Sequence, residues 1–176
     1  MDYLWSPWRY QYVTSGAPET PGPPVPGIEA CLFCRIAGAV QDRENYVLYR
    51  AQRNFILLNR YPYAPGHLMI APYEHVATLE EAQTETMEEL IRLAQRAEAA
   101  VRSIYRAGGV NLGFNIGQCA GAGVAGHIHM HVLPRWHGDT SFITTTGETR
   151  VLPEDLTTSW EKLRAAFDHE SPSRPA

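Results

Sequence analysis

The chain has 176 residues, of which 44% are hydrophobic and 19% charged, and its formal net charge is −4. This length and composition fit one compact globular domain with additional tails. A negative net charge without a basic run argues against binding of a nucleic acid polymer, which requires positive side chains on the phosphates. The first residues do not resemble a signal peptide, and no stretch is apolar enough to span a membrane. We therefore expect a cytoplasmic protein without a membrane partner.

The first thirty residues predict an aromatic arm and a linker outside the domain. Tyrosines and tryptophans occur throughout 3–12, and prolines and glycines dominate 14–27, a density that excludes regular structure. We place a single domain at 31–168, after the arm and linker at 1–30 and before a polar tail at 169–176. The arm is aromatic enough to dock on another surface, such as a second subunit.

Short strands and two helices are predicted within the domain. Segments rich in aromatic and branched residues predict strands at 46–50, 54–58, 67–72, 110–116 and 127–133. Apolar residues at spacings of three and four predict a long helix from Leu79 to Arg106, ended by the glycines at 108–109. A second helix is predicted from Leu156 to Phe167. This order indicates an α+β domain with an antiparallel sheet of about five strands.

The segment "GHIHMHVLPRW" carries three of the seven histidines, His127, His129 and His131. On a strand, this alternation places the three imidazoles on one face and the apolar residues between them on the other. Side chains two residues apart are about 6–7 Å apart, which is too far for one metal ion to bind all three comfortably. We expect a row of histidines that orient one another with one free to react, and an accidental cluster is the alternative.

A glycine-rich loop, "GQCAGAGVAG" at 117–126, directly precedes these histidines. Glycine lets backbone amides turn toward a ligand, and successive exposed amides bind anions. A phosphate site beside a histidine nucleophile indicates phosphoryl or nucleotidyl transfer. Because many glycine-rich loops only form turns, the indication depends on the neighbouring histidines.

The cysteines suggest a metal or a redox pair. Cys31 and Cys34 form a C-x-x-C pair, and Cys119 stands alone. An odd count without a signal peptide argues against a disulfide scaffold. The pair can supply half of a zinc site, act as a redox pair, or consist of two ordinary reduced thiols. Zinc is preferred over redox chemistry because no thioredoxin-like βαβ pattern surrounds the pair.

The segment "HIHMHVL" resembles the H-x-H-x-H-x-x signature of the histidine-triad (HIT) nucleotide hydrolases and transferases. "NFILLNRYPYAPGHLMIAPYEHV" is similar to the first conserved block of that family. "GFNIGQCAGAG" and "HIHMHVLPRWHGDTSF" look like a bacterial and archaeal branch that includes diadenosine tetraphosphate phosphorylases. The resemblance covers the chain from about Cys31 to the end of the last helix.

The resemblance implies a HIT-like α+β fold and an enzyme that acts on a small-molecule nucleotide. The implied reaction cleaves a diadenosine polyphosphate by phosphorolysis or hydrolysis, through a nucleotidyl-histidine intermediate. An adenosine phosphoramidase, which removes an amine from AMP, and a nucleotide-binding adaptor with weak activity are the alternatives. The acceptor stays open because "GDTSFI" departs from the usual pattern of the branch. The family also implies a homodimer in which one sheet continues across both subunits.

Individual residues receive expected roles from the same resemblance. His129, the middle histidine, is the expected nucleophile, and His131 is expected to orient a neighbouring imidazole. His127 is the first histidine of the motif, and His67 matches a fourth histidine beside the triad. The expected nucleotide-binding residues are Asn59 for the ribose hydroxyls, Asn115 for the phosphates or leaving group, and Gly121, Gly123 and Val124 for the phosphates. The backbone must bind phosphate here because Val124 stands where many members carry a hydroxyl.

Relatives with a C-x-x-C before the first strand also imply the remaining metal ligands. The corresponding set in this chain is Cys31, Cys34, His75 and His127. Two cysteines and two histidines make a closed tetrahedral site, so we expect structural zinc and no catalytic metal.

Overall fold

The computed structural model describes residues 31–140, 144, 146, 147 and 152–168. The predicted arm and linker at 1–30 and the tail at 169–176 lie outside the described residues. The described helices are α1 (Leu32–Gly38), α2 (Thr84–Tyr105) and α3 (Leu156–Asp168), with a 3-10 turn at Gln118–Ala120. The described strands are β1 (Val47–Arg50), β2 (Asn54–Leu58), β3 (Leu68–Pro72), β4 (Gly109–Phe114) and β5 (Met130–Arg135).

The strands form one antiparallel sheet in the order β1-β2-β3-β5-β4. β2 and β3 are buried at every position, because helices cover both faces of the sheet. α2 and α3 pack on one face, and α1 packs on the other. The predicted α+β fold, with a five-stranded antiparallel sheet, one long helix and a C-terminal helix, is confirmed.

The short helix α1 was not predicted. Its buried residues Phe33 and Ile36 are one turn apart and pack against Val47, Phe55 and Leu57 of the sheet. The three-residue spacing of Phe33 and Ile36 was the available signal in the sequence. Two apolar residues one turn apart give too weak a periodicity to identify a helix. α1 matters for the site because it covers the sheet face on which the histidines lie.

The long helix α2 begins at Thr84, later than the predicted Leu79. Glu81 accepts a hydrogen bond from the Ala77 amide (2.8 Å), and Glu74 accepts one from the Gln83 amide (3.2 Å). These side chains hold the preceding residues in turns, which explains the late start. In the described part of the chain, no helix combines the length and apolarity needed to cross a bilayer.

The end of α2 also differs from the prediction. The helix ends at Tyr105 because Arg106 adopts the left-handed conformation (φ 49°), and the glycines at 108–109 lead into β4 instead. The Tyr105 ring lies against Gly66, where a Cβ would overlap it and where φ is 72°. Only glycine fits there, so this contact fixes the loop directly before His67.

β5 begins at Met130, not at the predicted residue 127. Met130 pairs with Ile70 of β3, and two positions further in this register Ile128 would lie opposite Pro72. Pro72 has no amide hydrogen to continue the ladder, and the Ile128 amide donates to Val76 instead (2.7 Å). The alternation nevertheless persists, because Met130 and Val132 pack toward α2. The remaining predicted bounds differ from the observed ones by no more than two residues.

Candidate active site

The four predicted metal ligands lie together on the α1 side of the sheet. One ligand atom from each residue lies within 4.8 Å of all the others, in the set Cys31, Cys34, His75 and His127. The cysteines come from the start of α1, and the histidines follow β3 and precede β5. Three segments far apart in sequence therefore meet at this cluster.

The distances within the cluster suit a tetrahedral ion. Cys34 Sγ lies 3.2 Å from His75 Nδ1 and 3.5 Å from His127 Nδ1, and Cys31 Sγ lies 3.4 Å from His127 Nδ1. Zinc bonds of about 2.3 Å to sulfur and 2.0–2.1 Å to nitrogen place such ligand atoms about 3.6 Å apart at a tetrahedral angle. These three sulfur–nitrogen separations are within a few tenths of an ångström of that value, and all four ligand atoms lie within 4.8 Å of one another.

The hydrogen bonds of His127 direct the correct nitrogen toward the thiols. Its Nε2 donates to the carbonyl of Pro72 (2.9 Å), so the lone pair of the neutral ring is on Nδ1, next to both cysteines. Burial lowers the pKa of His127 to about 4, which favours this neutral form. Burial and the neighbouring Cys31 thiol raise the pKa of Cys34 to about 11, so a bound cation must displace a proton there.

His129 is held so that one nitrogen is free to react. Its Nδ1 donates to the carbonyl of His127 (2.9 Å), which leaves the lone pair on Nε2. Phe33 of α1 covers the ring at a centroid distance of 4.7 Å, and the side chain is buried. A fixed imidazole with an available lone pair has the property required of a nucleophile. The orienting hydrogen bond expected from His131 is made instead by the His127 backbone.

A chain of hydrogen bonds holds His131. The Tyr63 amide donates to His67 Nδ1 (3.1 Å), so the proton of the neutral His67 ring is on Nε2. That Nε2 donates to His131 Nδ1 (2.9 Å), which leaves the proton of His131 on its own Nε2. The Tyr63 ring lies over His67 at 4.8 Å and over His131 at 6.1 Å. His129 therefore presents a lone pair, and His131 presents an N–H donor.

Both reactive rings are neutral at pH 7. Burial lowers the pKa of His129, and burial together with the charge of His129 lowers the pKa of His131 to about 4. The two rings are 4.9 Å apart, so a proton on one opposes a proton on the other. The site keeps the nucleophilic form without a neighbouring carboxylate among its described contacts.

The glycine-rich loop offers fewer free amides than predicted. The Gly121 amide donates to the carbonyl of Gln118 (2.9 Å), so this predicted phosphate-binding amide is occupied by a turn. Within the described residues, the amides of Gly123 and Val124 make no hydrogen bond, and the space around Gly123 is open. The Val124 side chain packs against the apolar cluster that α1 forms with the sheet.

Asn59 lies at the edge of a cavity of about 270 Å³. Its side-chain nitrogen is 3.4 Å from His67 Nδ1, and its side-chain oxygen accepts a hydrogen bond from the Tyr61 amide (3.0 Å). The apolar residues that line this cavity include Leu32, Ile36, Leu57, Leu58 and Met69. Asn59 was predicted from the sequence, but the lining from α1 was not, because that helix was not predicted.

Asn115 directly follows β4, near the histidines. Gly113 pairs with His131 and Phe114 with Met130, so the next position in this register places Asn115 opposite His129. The residue is half-buried. The structure therefore brings Asn115, Asn59, His67 and the triad to the same side of the sheet.

The family model of the HIT domain matches residues 41–138, which is more than half of the chain. The chain belongs to the histidine triad (HIT) family. This membership confirms the resemblance found in the sequence, and the matched range contains the whole histidine row, His67 and His75. Cys31 and Cys34 lie before the matched range.

Among relatives of this HIT protein, one from Mycobacterium tuberculosis is named AP-4-A phosphorylase. It is 39% identical over 153 residues, which are 87% of this chain and 77% of the relative. An asymmetrical bis(5'-nucleosyl)-tetraphosphatase from Schizosaccharomyces pombe is 27% identical over 95 residues, 54% of this chain and 52% of the relative. A crystal structure of a zinc-bound histidine triad family protein from Mycobacterium smegmatis has a TM-score of 0.65 and 32% identity, covering 80% of this chain and 94% of that chain.

Proposed function

We propose that this HIT protein is an enzyme that cleaves diadenosine polyphosphates at the α-phosphate, through a nucleotidyl-His129 intermediate. The observation that carries the proposal is the hydrogen bond that orients His129. His129 has its lone pair on Nε2 while its Nδ1–H is held by the His127 carbonyl (2.9 Å). The similarity to an AP-4-A phosphorylase and a tetraphosphatase supports the substrate class.

In the first step, the His129 Nε2 lone pair attacks the α-phosphorus. The bond from that phosphorus to the bridging oxygen breaks, and the leaving nucleotide departs with the electron pair. The imidazole becomes positively charged, and the hydrogen bond from Nδ1–H to the His127 carbonyl strengthens as that charge develops. We expect the Nε2–H of His131 to donate to a phosphate oxygen in this step.

In the second step, inorganic phosphate or water attacks the same phosphorus. The phosphorus–nitrogen bond breaks and its electron pair returns to Nε2, which restores neutral His129. The proton of the attacking group passes to the released phosphate oxygens or to solvent. With phosphate the product from the bound nucleotidyl group is ADP, and with water it is AMP.

The nucleoside of the transferred group fits the cavity beside Asn59. The apolar lining from α1 and β2 suits a purine, and Asn59 at the edge can hydrogen-bond the ribose hydroxyls. The free amides of Gly123 and Val124, with Asn115 opposite His129, would then face the phosphates. The amide of Gly121, a predicted phosphate contact, donates to the Gln118 carbonyl, so we do not expect it to bind phosphate.

We also propose that the Cys₂His₂ cluster holds structural zinc. The two thiols and the two imidazole nitrogens are the donor types that zinc prefers, and their spacing suits a tetrahedral site. The relative described as zinc-bound supports this choice of metal. Bound there, zinc would tie α1 to the segment that carries His129. The reaction steps use the imidazoles and backbone amides alone.

We also propose that the protein is a homodimer in the cytoplasm. β4 lies at the edge of the described sheet and is largely exposed, as are the apolar side chains of Leu112 and Ile91. An exposed strand edge with apolar neighbours supports pairing with the same strand of a second copy.

Product identification with diadenosine tetraphosphate, with and without inorganic phosphate, tests the function. ADP plus ATP in the presence of phosphate indicates a phosphorylase, and AMP plus ATP in either condition indicates a hydrolase. Cleavage restricted to AMP-amine substrates would replace the proposal with the phosphoramidase. Binding without turnover of any of these compounds would favour the adaptor.

A further inference from the structure

A second and larger cavity lies across His67 from Asn59. The Asn59 amide donates to the His67 carbonyl on the β2 side, and the register of β3 with β5 places Leu133, which lines the cavity, on the other side of His67. Its volume is about 640 Å³, within the usual range of ligand sites. It lies where the β2–β3 loop, the end of β5 and the end of α2 meet. The lining used below consists of Tyr63, Leu133, Arg135, Trp136, Thr140 and Glu154.

The catalytic histidines adjoin this cavity. Tyr63 lines it, and the same ring lies over His67 and His131, with centroid distances of 4.8 and 6.1 Å. Leu133 also lines it and is two residues beyond His131 on the same face of β5, a separation of about 6–7 Å along a strand. A ligand bound at His129 can therefore extend past His131 into this cavity.

The charged lining residues are already paired. Arg135 donates to both carboxylate oxygens of Asp139 (2.6 and 2.8 Å) and to Asn111 (2.8 Å). Glu154 accepts hydrogen bonds from Tyr105 (2.8 Å), Ser159 (2.7 Å) and Lys162. A phosphate would have to displace one of these partners. A neutral aromatic group would not, and the indole of Trp136 and the ring of Tyr63 offer it apolar surfaces.

We infer that this cavity binds the second nucleoside of the substrate, the one on the leaving nucleotide. The inference rests on the proposed function. A diadenosine polyphosphate has a nucleoside at each end of its phosphate chain, and this protein has a cavity on each side of His67. The Asn59 cavity takes the transferred nucleoside, and the Trp136 cavity takes the departing one. Stacking on aromatic side chains binds bases with little sequence preference, so adenine is not uniquely required there.

Two substrates with the same transferred group test the inference. Diadenosine tetraphosphate carries the second nucleoside, and adenosine 5'-tetraphosphate carries the same phosphate chain without it. Thr140→Trp adds a ring inside the cavity at an exposed residue, and Trp136→Ala removes one aromatic surface. His137→Trp is the matched control, because it adds the same ring to an exposed neighbour that does not line the cavity.

We expect wild-type protein to favour the dinucleotide at least tenfold in kcat/KM. Thr140→Trp should lower kcat/KM for the dinucleotide at least fivefold and change the mononucleotide value less than twofold, while His137→Trp changes neither. Trp136→Ala should reproduce this selective loss, and thermal unfolding reports its separate effect on stability.

Equal kcat/KM for the two substrates in wild-type protein, or equal losses on both in Thr140→Trp, would overturn the inference and leave the proposed function standing. Failure of wild-type protein to cleave either substrate would overturn both.

Discussion

The two ends of the histidine row use the same residue type at the same spacing, but they hold their imidazoles in different ways. At one end, the Nε2–H of His127 donates a hydrogen bond to the Pro72 carbonyl, and the Nδ1 lone pair faces two thiols. At the other end, His131 Nδ1 accepts a hydrogen bond from His67 Nε2–H, and His131 presents its own Nε2–H as a donor. His129 lies between them with a free lone pair. Distant segments supply the partners of His127 and His131, and the neighbouring backbone supplies the partner of His129, so the partners give each histidine its chemistry.

This difference predicts that the two ends can be damaged separately. Changes at the cysteine end should act on metal binding and stability, whereas changes at the His67 end should act on turnover. Changes at His129 should remove the chemistry and leave both ends intact.

The largest expected effect is that of His129→Ala. Loss of the attacking nitrogen should lower kcat by roughly 10³-fold or more, because the covalent step has no substitute. Nucleotide affinity and metal content should stay close to those of wild-type protein. Turnover and calorimetric nucleotide binding check this, and a variant with full turnover would sink the mechanism.

The next largest effect is expected at the cysteine end. Cys34→Ser should lose stoichiometric metal and lower the free energy of unfolding by more than about 2 kcal/mol, because the metal can no longer stabilise the folded state. Cys119→Ser is the matched control, since Cys119 is exposed and lies outside the cluster. Metal analysis and thermal unfolding measure both. Unchanged metal content in Cys34→Ser would contradict the proposed ligand set.

A smaller effect is expected from His67→Phe. The phenyl ring keeps an aromatic contact with Tyr63 but cannot donate to His131 Nδ1. The loss of one neutral hydrogen bond predicts a fall in kcat of about tenfold. Metal content should not change. If this variant lost metal as well, the two ends of the row would not be independent.

The smallest effect is the response to mild acid. Burial lowers the pKa of His131 from 6.5 to about 4 and lowers that of His129 as well, so each ring keeps its neutral form to a lower pH than an exposed histidine. As the pH falls, the active neutral form is therefore lost at a lower pH than it would be with unshifted histidines. An unshifted pKa of about 6.5 would lower kcat/KM about tenfold at pH 5.5. We expect metal-loaded protein to lose clearly less than tenfold in kcat/KM between pH 7.5 and pH 5.5. A tenfold loss would show that the rings titrate like exposed histidines.

The sign for stability follows from the same shift. The unfolded chain takes up protons on these histidines as the pH falls through 6.5, but folded His131 does not until about pH 4. The stabilisation from the neutral ring is complete above pH 6.5 and is lost progressively toward pH 4.

The sequence predicted the strands, the long helix and the faces of the histidine row because their periodicity is local. It also placed Cys31, Cys34, His75 and His127 together, through the family resemblance, and the structure brings their ligand atoms within 4.8 Å. It missed α1, which is too short for periodicity to identify. The sequence predicted that His131 orients His129, whereas the His127 carbonyl does so. Every residue has a backbone carbonyl, so a sequence does not show which one will accept a side-chain hydrogen bond. The cavity beside Asn59 depends on α1 lying over the sheet, and the larger cavity depends on loops that meet at the end of β5. Residue patterns specify neither arrangement.

Trapping of the covalent intermediate tests the central claim most directly. Wild-type protein is mixed with diadenosine tetraphosphate without added phosphate, quenched in base within milliseconds to seconds, and digested for mass spectrometry. The mechanism predicts an adenylyl group on His129 that is absent from His129→Ala and still forms, more slowly, in His67→Phe. An adenylyl group on another residue, or continued adenylylation of His129→Ala, would contradict it.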